Sequence, residues 1–512
     1  MARHPVELGH DGPIIDALIS ARMGSRGGFV RTMAMSRRDL GKAMYGAVLA
    51  GASTDAAAEA APGGATPKGA PGGNVTLIRG AYVMTMDATR GDLPEADILV
   101  RDGRIAALDR ALPVPAGADI VDAAGAVVLP GFVDAHTHGS ISQMRGLYGN
   151  TPETAFFPVT NRLSAHYTPE DTYLGMLLSA VENVASGITT TADFFDIVRN
   201  RAHAEAGLRA LQDAPIRARL LYGMKSKTTA DPIDLAHVEE WQRGWAQHSA
   251  GGRLSLGLAW RLPQDLDDAQ AWTIKQREWE AARRLGLPMQ VHVSGTVPGR
   301  ATAMFDALIG RRMLHPNLQV IHATDARDDQ LAALEEAGSG LVVTPLTEHR
   351  VGYGLTRIDR FAGTRRLGFG IDGSALAGFT DMFALMRLVA LTQAGATRDE
   401  TAVSPRRLLE LATVGGAQAL GLDAEIGALV PGRAADLQIV RLDAWHLAGF
   451  DGGDPSGLLV YSARPEDVAA VMIGGRFVKR DRRLLGFDAA ALLGQARSSI
   501  RSIRRRALRA DP

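Results

Sequence analysis

The sequence predicts an α/β architecture: a parallel (β/α)8 barrel with a small β-sandwich domain built from the segments that flank it. Three observations carry this expectation. The centre of the chain alternates short apolar, β-branched runs with amphipathic helical stretches, the pattern of parallel βα units. Eight such runs can be placed, the number that closes a barrel. Short strand-like runs separated by tight turns occur on both sides of that centre, as if one sheet domain had received an insertion.

Bulk composition sets the outer limits. At 512 residues the chain suits one large barrel with a satellite domain, and Lys plus Arg balance Asp plus Glu at 56 each. Nothing in that balance calls for a nucleic acid or an acidic membrane as partner. Cysteine is absent, so disulfides and thiolate ligands are excluded and any metal must rest on His, Asp or Glu. No apolar run approaches the roughly 18 residues of a transmembrane helix.

The elements follow in order. Residues 1–73 differ from the rest: Arg37-Arg38 precedes a mildly apolar stretch, Ala43 to Ala52, and then an Ala/Gly/Pro-rich tract. This pattern resembles a twin-arginine export signal and linker, which would place the mature protein in the periplasm; without export it would be cytoplasmic. Residues 74–126 hold strands at Val75–Ile78, Ala81–Thr85, Ala96–Val100 and Arg104–Leu108, the first part of the sandwich. The barrel is expected over residues 127–424, beginning with the apolar strand from Val127 to His138. One repeat shows the local physics: Thr168 can cap a helix, Pro169 fits its first position, and Glu170 and Asp171 favour the positive end of the dipole. Tyr173, Leu174, Leu177, Leu178, Val181 and Val184 then recur at helical spacing, and Gly187 stops the helix before the strand Ile188–Asp193. Further strands are expected at 218–222, 254–259, 289–293, 318–322, 341–344 and 367–371. The second part of the sandwich follows at 425–482, and a helical, arginine-rich tail at 483–512 reads as a solvated terminal helix.

Barrel chemistry sits at the C-terminal ends of the strands. There the first strand carries His136 and His138, the fifth His292, the sixth His322 and the eighth Asp372. Three imidazoles and a carboxylate converging on one rim make a nitrogen/oxygen site for one divalent ion with a position left for water. Asp372 can take that water's proton. His322 can ligate the ion, orient the water or the leaving group, or hydrogen-bond from behind. The donor set accepts zinc first, with iron or manganese as alternatives.

These motifs resemble the amidohydrolase superfamily, in the branch of cytosine deaminase, S-adenosylhomocysteine deaminase and triazine hydrolases. The resemblance covers 74–480: Pro130-Gly131-Phe132-Val133-Asp134-Ala135-His136-Thr137-His138, Met144-Arg145-Gly146, Leu367 to Gly373, Leu411 to Ala417 and Ile426 to Leu437. It implies that His136, His138, His292 and Asp372 ligate one metal, with His322 beside the water. It also implies small-molecule substrates and a homo-oligomer in many members. Two-metal members carry a bridging lysine on the fourth strand; here that strand ends Ala259-Trp260-Arg261, and Lys225 follows the third. The branch also places a proton-shuttling Glu three residues after the fifth-strand His, where this chain has Gly295.

The expected reaction is hydrolytic deamination of a heterocycle of purine, pyrimidine, triazine or pterin type. Hydrolysis of a cyclic or linear amide, or displacement of another ring leaving group, is the alternative, and a non-catalytic metal-binding barrel is the competing class. Glu348, in the loop after the seventh strand, is the candidate substitute for the missing shuttle, against a solvated residue paired with Arg350. Gln143, Arg145, Trp260 and Arg350, with Arg261, Thr296 and Tyr353, are expected at the mouth, where aromatic and guanidinium groups suit a flat polar ring.

Overall fold

The protein is described by a computed structural model covering residues 75–225 and 232–510. The twin-arginine segment and its linker lie outside the described residues.

Eight parallel strands form the barrel: Phe132–Thr137, Ile188–Phe195, Arg217–Tyr222, Leu254–Trp260, Met289–Val293, Leu318–His322, Gly340–Val343 and Leu367–Phe369. Val133, Ala135, Ala192, Phe194, Leu221, Ala259, Ile321 and Val342, from six of the eight strands, pack into one buried cluster. Only the space enclosed by the strands brings those six together. The eighth strand meets the first without a regular ladder. Closure comes instead from the Asp372 amide, 2.9 Å from the His136 carbonyl, and the Ile371 amide, 2.8 Å from the Asp134 carboxylate. Gly370 permits this approach, because a Cβ there would stand 2.8 Å from the His136 carbonyl oxygen.

The flanking segments meet in one mixed nine-stranded sheet. In it Ala126–Pro130 runs parallel to Val75–Val83 and antiparallel to Leu437–Arg441. This corrects the expected first strand, which took Val127 to His138 as one barrel element. The chain changes sheets at Gly131: its amide donates to Asp436 of the satellite sheet, whereas the Phe132 amide donates to Gly187 at the foot of the second barrel strand. Asp436 ties the two parts together, accepting from Arg217 Nε at 2.7 Å and from the Gly474 amide at 2.7 Å.

The helix expected after Thr168 spans Pro169–Ala185, with Thr168 and Asp171 capping each other reciprocally. Gly187, at φ +94°, follows it as the sequence requires. The terminal helix Ala489–Ala510 packs Leu492, Ala496, Ile503 and Ala507 inward, and Ser499 donates to Asp171 at 2.6 Å. Arg497, Arg501, Arg504 and Arg505 face solvent, but Arg506 pairs with Asp171 and donates to the His166 carbonyl. No helix among the described residues is long and apolar enough to cross a membrane.

One buried imidazole gives a pH prediction remote from the barrel mouth. His315, packed edge-on to Trp279, accepts from the Asn317 amide at 3.2 Å, and burial lowers its pKa to about 4. The unfolded chain, titrating near 6.5, therefore binds the extra proton first on acidification. Stability should fall as pH drops from about 6.5 to about 4. Urea unfolding of a His315→Asn variant across that window should show a shallower slope than the wild type.

Candidate metal centre and pocket

The barrel rim gathers four of the predicted residues. His136, His138, His292 and Asp372 each offer one ligand atom, and these atoms lie within 4.8 Å of one another. Asp372 Oδ1 stands 3.2 Å from His136 Nε2 and 3.4 Å from His138 Nε2, and the two Nε2 atoms of His138 and His292 are 3.2 Å apart. A tetrahedron with metal–ligand bonds of about 2.0–2.1 Å has edges of roughly 3.3 Å. Three measured edges match that figure. His136 Nε2 is also buried with no hydrogen-bond partner, an arrangement that a cation resolves. The residues present fit one divalent ion.

Backbone and neighbours hold the ligands in place. A register irregularity between Asp134 and Thr137 breaks the regular alternation of the first strand, and His138 lies just beyond its end. Asp372 at φ +60° and His322 at φ +75° occupy left-handed conformations that cost a non-glycine residue energy, a strain typical of functional strand ends. His136 Nδ1 bonds Gln290 Oε1 at 2.7 Å, and Gln290 Nε2 donates to the Ala135 carbonyl at 2.8 Å. His138 Nδ1 faces Asp196 at 3.6 Å, and Asp196 also pairs with Arg261. In both imidazoles the Nδ1 side is engaged and Nε2 turns toward the shared space.

The electrostatics agree. Burial lowers His136 to about 4 and carries His292 well below its usual value. Burial also works against His138, but the Asp196 and Asp372 carboxylates outweigh it and raise it to about 9. For Asp372 burial acts upward, yet the imidazoles of His136 and His138 beside it prevail and hold it well below the usual carboxylate range. Two neutral imidazoles beside an ionised carboxylate present lone pairs to a cation.

Above the ligands opens a pocket of about 560 Å³, mouth included. Ile141, Phe156, Phe157, Ile197, Val351 and Leu376 supply its apolar wall. Its polar wall beyond the ligands is Asp196, Arg261, Ser294, His322 and Tyr353. Of the residues expected at the mouth, Arg261 and Tyr353 are there. Gln143 is buried, donating to the Asp171 carbonyl; Arg145 pairs with Glu182; Trp260 is fully buried; Arg350 donates to the Leu376 carbonyl. These four and Thr296 are not on the pocket wall. The fourth strand ends at Trp260 without a lysine, and Lys225 is exposed after the third.

Glu348 is neither at the mouth nor solvated. It is fully buried behind His322, with Oε1 3.1 Å from His322 Nδ1 and 2.7 Å from the Thr344 amide, and Thr356 donates to its other oxygen. Glu348 therefore engages His322 at Nδ1, which leaves the other ring nitrogen for the pocket side. A Glu348→Gln variant should lose about 10–100-fold in activity, as for other partners that orient a site histidine. Steady-state kinetics beside a thermal melt would check this, since a folding defect alone would lower the melting point without lowering turnover per folded molecule.

Sequence reasoning missed Asp196, Ser294, Gln290 and the phenylalanines. Asp196 was within reach of the rule that found the others, because it follows the end of the second strand. Gln290 precedes His292 by two residues on the fifth strand, a same-face spacing. Phe156 and Phe157 arrive on the helix Phe156–Ser164, and no strand-end rule points there.

A parallel barrel with three imidazoles and one carboxylate at the ends of its first, fifth and eighth strands has the build of a metal-dependent hydrolase. The sequence matches the amidohydrolase family over residues 127–478, and the chain belongs to that family. It is 29% identical over 454 residues to a 5-methylthioadenosine/S-adenosylhomocysteine deaminase of Acetivibrio thermocellus, covering 85% of this chain and 99% of the relative. To a 5'-deoxyadenosine deaminase of Methanosarcina mazei it is 28% identical over 441 residues, covering 83% and 97%. Among solved structures, an adenosine deaminase from Xanthomonas campestris with bound zinc superposes with a TM-score of 0.72 at 24% identity, covering 84% and 98%. An atrazine chlorohydrolase from Arthrobacter aurescens in complex with zinc gives 0.73 at 23% identity, covering 83% and 100%.

Proposed function

We propose that this amidohydrolase removes an amino group hydrolytically from a heterocycle, with a 6-aminopurine nucleoside as the leading substrate type and zinc as the ion. The observation that carries the reading is the four-ligand cluster beneath a pocket walled by Phe156 and Phe157. Aromatic faces suit a flat ring, and curated relatives covered over nearly their full length are named as deaminases of adenosine-type compounds.

In this reading His136, His138, His292 and Asp372 hold the ion, which when bound brings the pKa of a water toward about 7. Asp372 accepts that water's proton. His322, with Nδ1 committed to Glu348, presents Nε2 to the attacking oxygen and steadies the charge that develops on the ring. Phe156 and Phe157 exclude solvent and keep the ring flat against the rim. Arg261, neutralised by Asp196, sets the edge of the pocket.

Purified, metal-loaded protein should release ammonia from adenosine-type nucleosides faster than from aminopyrimidines or aminotriazines. Ammonia from none of these, with hydrolysis of a cyclic amide instead, would overturn the reading. We also propose export by the twin-arginine route. Replacing Arg37 and Arg38 by Lys should retain the protein in the cytoplasmic fraction, and unchanged fractionation would refute export.

A further inference from the structure

A leaving amine departs as ammonia only when a proton reaches it, and the fifth strand supplies no donor. A Cβ at Gly295 would stand 2.8 and 2.9 Å from Cγ and Cβ of Arg300, so that side chain fills the place where a longer residue would begin. Arg300 is not on the pocket wall, and its guanidinium donates to the carbonyls of Pro263 and Gln264 at 3.2 and 2.6 Å.

Among the described residues, the pocket wall offers few other protons. His138, His292 and Asp372 belong to the ion's ligand set. Asp196 is engaged by Arg261 and His138, and a guanidinium does not give up its proton. His322 serves the attacking water in the reading above. An alcohol such as Ser294 is too weak an acid. One ionisable group is left, the phenol of Tyr353.

We propose that Tyr353 is the catalytic residue that protonates the leaving amine. Its backbone is pinned on both sides: the amide donates to the Glu348 carbonyl at 2.9 Å, and its carbonyl accepts from Thr324 Oγ1 at 2.7 Å. Gly352, at φ +77°, ends the helix Pro345–Val351 and delivers Tyr353 to the wall. The ring packs edge-on to His322 with centroids 5.3 Å apart, and the hydroxyl is hydrogen-bonded to Ser294, beside the end of the fifth strand. The phenol thus shares the pocket wall with Ser294, the residue that precedes Gly295.

The step balances without an added reagent. The water's oxygen bonds to the ring carbon as Asp372 takes its proton, and the carbon–nitrogen bond then breaks as Tyr353 Oη gives its proton to the departing nitrogen. Ammonia leaves, the hydroxylated ring relaxes to its carbonyl tautomer, and the phenolate regains a proton through solvent as Asp372 gives up the one it took, which restores both groups. One water is consumed per ammonia released.

The test rests on the deaminase reading and separates from it through the leaving group. Wild type and Tyr353→Phe, matched for metal content, are compared on a 6-aminopurine nucleoside and its 6-chloro counterpart; chloride departs without a proton. The expected result is a 10²–10⁴-fold loss of turnover on the amine, with the chloride substrate near the wild-type rate. Equal loss on both substrates, or no loss on the amine, would overturn the proposal. Ser294→Ala removes only the phenol's partner and serves if the Phe variant does not fold. A smaller loss confined to the amine supports the proposal, and an equal loss on both or none at all contradicts it. A wild-type protein that converts neither substrate removes the deaminase reading and this proposal together, an outcome distinct from any variant-specific one.

Discussion

Replacing Asp372 by Asn is expected to cut turnover by at least 10²–10⁴-fold while leaving a folded protein. The carboxylate holds two positions at once. Its Oδ1 lies 3.2 and 3.4 Å from the Nε2 atoms of His136 and His138, and the proposed reaction makes it the acceptor of the water's proton. An amide keeps the size but loses the charge, so both ligand strength and basicity go. Asn is also the substitution the backbone accepts best, because Asp372 sits at φ +60°, a conformation that Asn tolerates and β-branched residues do not. A near-wild-type melting temperature with vanished turnover would place the loss in chemistry. Retained turnover would remove Asp372 from the mechanism.

Asp134→Ala is expected to cost about 2–5 kcal/mol of stability, from buried partners left without an acceptor. The fully buried Asp134 carboxylate accepts from the Ile371 amide at 2.8 Å and Thr191 Oγ1 at 3.0 Å, with Asn183 Nδ2 at 3.5 Å. Burial pushes its pKa up to about 7, so the site retains an acceptor oxygen whether or not it is ionised. The bond to Ile371 closes the barrel and fixes the residue next to Asp372. Alanine should therefore lower both the denaturant midpoint and turnover, whereas Asn, which keeps a carbonyl oxygen, should recover much of the stability. Equal midpoints for the Ala variant and wild type would show that closure does not depend on this carboxylate.

The barrel and its ligands were legible because both rest on local rules. Strand ends can be counted from hydrophobic runs, and a His or Asp at a run's end is visible without knowing what it touches. What lay hidden depends on long-range placement. The division at Gly131 could not be read from Val127 to His138, since the residues on either side of it, Val127 to Val133, are apolar throughout and only the partners, Asp436 and Gly187, differ. The burial of Glu348 was equally unreadable: Thr344-Pro345-Leu346-Thr347-Glu348 has the composition of an exposed loop, and only the fold puts His322 against it. Trp260 has the chemistry of a ring-stacking residue, yet it is fully buried and off the pocket wall, whereas Phe156 and Phe157 come from a helix with no motif of its own.

Turnover should depend on one divalent ion gripped at the rim by His136, His138, His292 and Asp372, residues distant in sequence. Elemental analysis of purified wild type and His292→Ala, each assayed for ammonia release, tests it most directly. About one ion per wild-type chain is expected, coordinated as at other mononuclear hydrolase sites, with joint loss of ion and turnover in the variant. Full turnover from protein that carries no ion would contradict it.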